Sequence, residues 1–178
     1  KRVNHAANYE IGHYRFAQVW NKDAADNNGS LIDGKTAKTL LDRHHKAIPS
    51  IRGIYQKEIR EEVSKTKMMV NVWGRRMIFH DRIAPDLFRQ AYAWWAQSLV
   101  GDLTNIVFDG VADKVTVVNQ GHDSLLVHCR KSHFMEDSKI LLDKALIPIQ
   151  VEGRELIIPV EFKVGHNWKE MQEFEVTI

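Results

Sequence analysis

From Arg2 to about Trp20 the apolar residues Val3, Ala6, Ala7, Ile11, Phe16, Val19 and Trp20 recur at roughly helical spacing, which predicts a helix with one buried face. Lys1, His5, Tyr9 and His13 stand four apart on the other side, predicting a single stripe of cationic, imidazole and aromatic groups. The polar run KDAADNNGSLIDG follows. Asp33 is then placed to cap a helix reaching about Lys46, and Pro49 to end it. A further helix, Ser50 to about Lys67, carries apolar Ile51, Ile54, Ile59 and Val63 and a dense charged side that reads as a solvated face.

Beyond residue 67 the period changes. The β-branched and aromatic residues of MMVNVWGRRMIF lie on either side of Trp73-Gly74-Arg75, predicting a short hairpin. Pro85 opens a long helix that runs to about Lys114, at an early position where its missing N–H costs nothing. The two β-rich runs in KVTVVNQGHDSLLVHC predict a second hairpin with Gln120-Gly121-His122-Asp123 at its turn. A helix from about Glu136 to Ala145, one strand over residues 155–164 and a short terminal strand complete the pattern. The expected fold class is therefore α+β: a helical lobe, 1–66, on an antiparallel sheet backed by helices, 67–178.

Composition narrows the function classes. In 178 residues, 44% hydrophobic, there is room for one core split into two lobes, not for several independent domains. Lys and Arg number 25 against 23 Asp and Glu, a formal net charge of +2. That balance excludes a polybasic tail and an acidic disordered tract, so an anionic partner must be met by local patches. The one cysteine, Cys129, excludes an internal disulfide framework and a cysteine-rich zinc module, and it fits a reducing compartment. No apolar run approaches the ~20 residues of a membrane span. The start, without an initiator Met and already inside an amphipathic repeat, reads as a piece of a larger protein.

His122-Asp123 is the sharpest local feature. A tight turn between apolar strands holds an exposed carboxylate on a rigid support, as a hard-metal site requires, although Asp is also an ordinary turn residue. On the long helix Arg89, Ala93, Gln97 and Gly101 form an i+4 stripe with small residues between hydrogen-bonding ones. Along it a duplex can approach, with Gln97 donating to minor-groove acceptors; a surface Arg and Gln on a core helix is the plainer reading. Trp94, Trp95, Leu99 and Leu103 are expected in the core. The nine histidines meet no zinc spacing, and His44, His45, His128 and His133 are read as surface or pocket residues.

Taken in order, these features resemble the C-terminal polymerase half of family-A (Pol I-like) DNA polymerases. KRVNHAANYEIGHY is similar to the family's fingers helix of Arg, Lys four on, Phe or Tyr four further, then Tyr-Gly. Gly74-Arg75-Arg76 resembles its Gly-Arg-Arg hairpin, and Arg89 and Gln97 its minor-groove pair. His122-Asp123 resembles its His-Asp-Glu turn, and VEFKVGHNWKEM its closing Gly-x-Asn-Trp stretch. Lys1 stands where the family has Arg, His5 where it has Lys, Glu10 where it has Gly, His13 where it usually has Tyr and Ser124 where it has Glu. These departures point to a divergent, phage- or plasmid-type branch.

The resemblance implies template-directed nucleotidyl transfer from deoxynucleoside triphosphates to a primer 3′ end, using two Mg²⁺ ions, with Mn²⁺ as a possible substitute. Asp123 and Ser124 would be the metal residues. His122 would touch the primer end. Lys1, Arg2, His5, Tyr9 and His13 would bind nucleotide, and Arg75, Arg76, Arg89, Gln97 and His122 the DNA, with Lys163 as a further phosphate contact. His5 would be the general acid for pyrophosphate, or Arg2 would neutralise it. The partners implied are primer–template DNA, the incoming nucleotide and an upstream part of the same polymerase that supplies the other essential carboxylate; no membrane is implied, and the setting is cytoplasmic. Two alternatives stay open: a metal phosphohydrolase of the HD type, whose His-Asp lies on a helix, and a DNA-binding fragment without chemistry.

Overall fold

In a computed structural model, which describes residues 6–176, the chain is α+β, with strands paired only to their sequence neighbours. The helices are α1 (His13–Asp26), α2 (Gly34–Ala47), α3 (Lys57–Thr66), α4 (Pro85–Val111) and α5 (Phe134–Ala145). The strands are β1 (Met68–Val70), β2 (Arg76–Ile78), β3 (Thr116–Gln120), β4 (Leu125–His128), β5 (Ile149–Val151), β6 (Arg154–Leu156), β7 (Phe162–Val164) and β8 (Gln172–Phe174). They form four two-stranded antiparallel ribbons: β1–β2, β3–β4, β5–β6 and β7–β8.

Two compact units divide the chain. One comprises the residues up to Val70 with Arg76–Ala96; the other comprises Asn71–Arg75 with Gln97–Ile178. Helix α4 contributes its first part to the former and the remainder to the latter.

The first unit has two apolar clusters. Phe16 and Ala17 of α1 meet Ala37 and Leu41 of α2, with Ala7 beside them. Asp33 caps α2 by accepting from the Thr36 N–H at 2.7 Å, which satisfies one of the orphan donors at the helix start. The polar run before it is tied back to α1: Asn21 donates to the Ile32 carbonyl at 3.0 Å and accepts from the Ile32 N–H at 2.8 Å. The second cluster joins Ile59 and Val63 of α3 to Met69, Phe79 and, from α4, Leu87, Ala91 and Tyr92. Burying side chains of this size stabilises by about 1.5–3 kcal/mol each.

Two expectations fail here. The helix predicted from Arg2 to Trp20 is interrupted: residues 6–8 are helical, Tyr9 and Glu10 turn, and α1 starts only at His13. Glu10 sits at φ 59°, the left-handed region that ends helices and favours glycine. Tyr9 and His13 therefore lie on different elements, and no single stripe joins them. The helix predicted from Ser50 instead begins as a π-helical segment, Ile51–Gln56, which passes into α3.

In the second unit Leu103, Val107 and Val111 of α4 pack with Val115 and with Ala145 of α5. Val117, Leu125 and Val127 of the β3–β4 ribbon cover this cluster. The single strand expected over residues 155–164 is broken, because residues 157–161 join no strand among the described residues and separate β6 from β7. Pro159 lies in that gap and has no N–H to give a ladder. No helix among the described residues is long and apolar enough to cross a membrane.

Candidate functional site

The β3–β4 hairpin carries His122 and Asp123 at its exposed tip, as the two β-rich runs predict. The Gly121 N–H donates to the Ser124 carbonyl at 2.8 Å and closes the turn. A Cβ at Gly121 would lie 2.5 Å from the Ser124 hydroxyl oxygen, so the Ser124 side chain lies over the glycine and would have to turn away from any larger residue. Helix α4 supports the turn: the His122 ring lies against Gly101, and the Thr104 hydroxyl reaches the His122 carbonyl at 3.2 Å. Gln120 donates to the Asn105 side-chain oxygen at 2.5 Å.

The resemblance noted in the sequence leads to an expectation of Mg²⁺ at this turn. A single exposed carboxylate on a braced turn fits one ligand of a shared hard-metal site. Among the described residues no three His, Cys, Asp or Glu side chains gather into a metal-binding group. Asp123 thus needs a carboxylate from elsewhere to hold an ion tightly.

Lys1, Arg2 and His5 lie outside the described residues. Tyr9 is half-buried against the cluster around Tyr92, and burial raises its phenol pKa above the ordinary value. The turn that carries it is held from three sides. Gln56 donates to the Asn8 carbonyl at 2.9 Å, His44 Nε2 pairs with the Asn8 side-chain oxygen at 3.1 Å, and Arg60 binds the Glu10 carboxylate. His13, half-buried at the start of α1, has its ring centroid 4.2 Å from that of Tyr14.

The cationic residues assigned to DNA are in different states. Arg75 is paired with Asp102 of α4, donating through Nε at 2.7 Å, and Arg89 is paired with Asp86 one turn earlier. Arg76 and Gln97 are exposed, and Lys163 faces Glu173 across the β7–β8 ribbon at 3.9 Å. Asp102 is buried. Its burial works to raise its pKa, but hydrogen bonds from Arg75 and Asn71, with the Arg75 charge, leave it below the ordinary carboxylate value. Asn71 is the centre of this knot. Its amide donates to Asp102 at 2.6 Å and Ser98 at 3.2 Å, while its oxygen accepts from the N–H groups of Trp73 and Arg75 at 3.1 and 3.0 Å.

Three residues escaped the sequence reading. Arg60 belongs to the charged side taken as solvated, yet its Nε donates to the buried Tyr92 hydroxyl, and its guanidinium lies 5.2 Å from the Phe88 ring centroid. Asn71 looked like one polar residue in a strand; its place three before Gly74, where a loop must be closed, was the available signal. His45, read as a surface or pocket residue, is 7% exposed, and its Nδ1 has no hydrogen-bond partner among the described residues.

No family model and no curated protein matches this chain. Among solved structures it is similar to the POL domain of Pol1 from M. smegmatis, determined in complex with DNA primer-template and dNTP, at a TM-score of 0.63 and 18% identity. The match covers 79% of this chain and 25% of that one, so the chain spans about a quarter of the solved protein's length. At this identity the likeness is one of fold: the chain has a DNA-polymerase-like architecture.

Proposed function

We propose that this chain is the fingers and distal palm portion of a family-A, template-directed DNA polymerase, residues 1–66 being fingers and 67–178 palm. The carrying observation is the His122–Asp123 turn, an exposed carboxylate at the tip of a hairpin braced by α4, within a fold like that of a polymerase domain.

Asp123 would hold metal together with a carboxylate from an upstream part of the same protein, with Ser124 beside it. Two Mg²⁺ ions, or Mn²⁺, would stabilise charge on the attacking and leaving oxygens. His122 would contact the primer end, and Tyr9 would offer its ring to the incoming sugar or base. Lys1, Arg2, His5 and His13 would meet the triphosphate, with His5 as general acid or Arg2 as counter-charge. Gln97 would read minor-groove acceptors common to all base pairs, and Arg75, Arg76 and Arg89 would meet phosphates. Arg75 already has a carboxylate partner, so its contact with phosphate would be shared.

The phosphohydrolase reading needs His122 and Asp123 on a helix; they lie between β3 and β4. The remaining rival is a DNA-binding fragment without chemistry. Fluorescence anisotropy with a labelled primer–template tests the binding component. Affinity should fall as salt rises, and Gln97→Ala should weaken binding on all sequences alike. Absence of salt-dependent binding would remove this reading.

A further inference from the structure

We infer that Gly101, Thr104 and Asn105 of α4 are positioning residues that set the direction of the Asp123 carboxylate; the inference rests on the polymerase reading above. At spacings of three and four they share one face of the helix, and each holds a different part of the turn.

Gly101 admits the His122 ring. A Cβ there would stand 3.2 Å from His122 Cε1 and 3.5 Å from Nδ1, so an added methyl would make the imidazole give way by a few tenths of an ångström. Glycine inside a helix costs stability relative to alanine, and here close approach of the ring accompanies it. Thr104 is buried, and its single hydroxyl proton is shared between the Val100 carbonyl at 3.0 Å and the His122 carbonyl at 3.2 Å. Asn105 holds the residue before the turn through Gln120.

The ribbon itself adds a fourth element. Its register shifts between Val117 and Asn119, so that Val118 is the extra residue. A bulge re-aims the side chains that follow it, and Gln120 reaches Asn105. Asp123 is left exposed, with ring, carbonyl and strand end all fixed beside it. A hairpin tip with no such support fluctuates, and a metal ligand displaced by about 1 Å can cost on the order of 10²-fold in rate.

Two measurements test this. In the full chain, Thr104→Val keeps the side-chain shape and removes the donor. Backbone ¹⁵N order parameters at Gly121–Ser124 should fall from rigid values of about 0.85 to below about 0.6, and Thr104→Ser should restore them. Gly101→Ala, which displaces the ring without touching that hydroxyl, should shift the His122 and Asp123 resonances and serves if the valine variant does not fold. In the complete polymerase, Thr104→Val should lower incorporation by roughly tenfold or more, raise the Mg²⁺ concentration needed for half-maximal rate, and hold primer–template affinity within a few-fold. Unaltered amide dynamics and Mg²⁺ dependence in Thr104→Val, with Asp123→Asn inactive, would overturn this positioning role and leave the polymerase reading standing. An active Asp123→Asn would overturn the polymerase reading and, with it, the positioning role.

Discussion

One terminal nitrogen of Arg60 donates to both carboxylate oxygens of Glu10, at 2.5 and 2.6 Å, while Glu10 itself holds a left-handed backbone at φ 59°. Glycine takes that conformation without penalty; an L-residue with a Cβ costs roughly 1–2 kcal/mol more. The ion pair, drawn from a helix well separated in sequence, offsets the strain and fixes the turn after Tyr9.

Glu10→Gly should therefore be nearly neutral, losing the pair and the strain together. Glu10→Ala should lose the pair and keep the strain, unfolding about 1 kcal/mol more easily than the glycine variant. Urea denaturation of the two variants decides this. Equal stabilities would mean that position 10 does not need glycine-like backbone freedom.

Asp102→Ala should destabilise by about 1–3 kcal/mol, the usual cost of leaving buried polar groups unsatisfied, because Asn71 and Arg75 lose their shared acceptor. The folded pKa of Asp102 is lowered, so its contribution is present above the ordinary carboxylate range and is lost as pH falls through the folded value. Acid unfolding of the wild type and the variant should converge at low pH.

His45 should make the first unit acid-sensitive near neutrality. Burial, the largest cause, then Arg52 and His44, hold its pKa below 6.5, against Asp42 and Glu10, which act to raise it. The unfolded chain takes up a proton near pH 6.5 that the folded chain refuses until lower pH, so stability falls across that window on acidification. His45→Leu should flatten the fall between pH 7 and 5 in thermal melts relative to wild type; parallel curves would show that His45 is not the source.

Tyr9→Phe, in the complete polymerase, should raise discrimination against dideoxynucleotides with little loss of normal incorporation. Under the proposed function, the phenol hydroxyl of Tyr9 would substitute for the missing sugar hydroxyl. Equal termination frequencies would take Tyr9 out of the sugar pocket.

Much of the fold follows from local chemistry that a sequence displays. Asp33 caps α2 and Pro85 opens α4, and the β-rich runs flanking Gly74 and Gly121 become hairpins. The break at Tyr9–Glu10 was hidden because apolar spacing continues through it, and what stabilises the turn, Arg60, is 50 residues away. The β5–β6 ribbon was missed although Glu152 and Gly153 both have φ above zero, at 50° and 73°, as a two-residue hairpin turn requires; three-residue strands are too short for periodicity to mark. For the site, the Asp123 turn was legible from the β-rich runs on either side of it, whereas its support by Gly101, Thr104 and Asn105 was not, since that depends on which face of α4 meets the hairpin.

Asp123→Asn in the complete polymerase tests the central claim most directly, with single-turnover incorporation and primer–template affinity measured side by side. A carboxylate that holds metal acts on the transition state, whereas duplex binding is spread over many phosphate contacts. Loss of a metal-holding Asp123 should lower the rate by ~10²-fold or more, with affinity held within a few-fold. Incorporation above about a tenth of the wild-type rate, against that ~10²-fold loss, would contradict the assignment of Asp123 to the metal site.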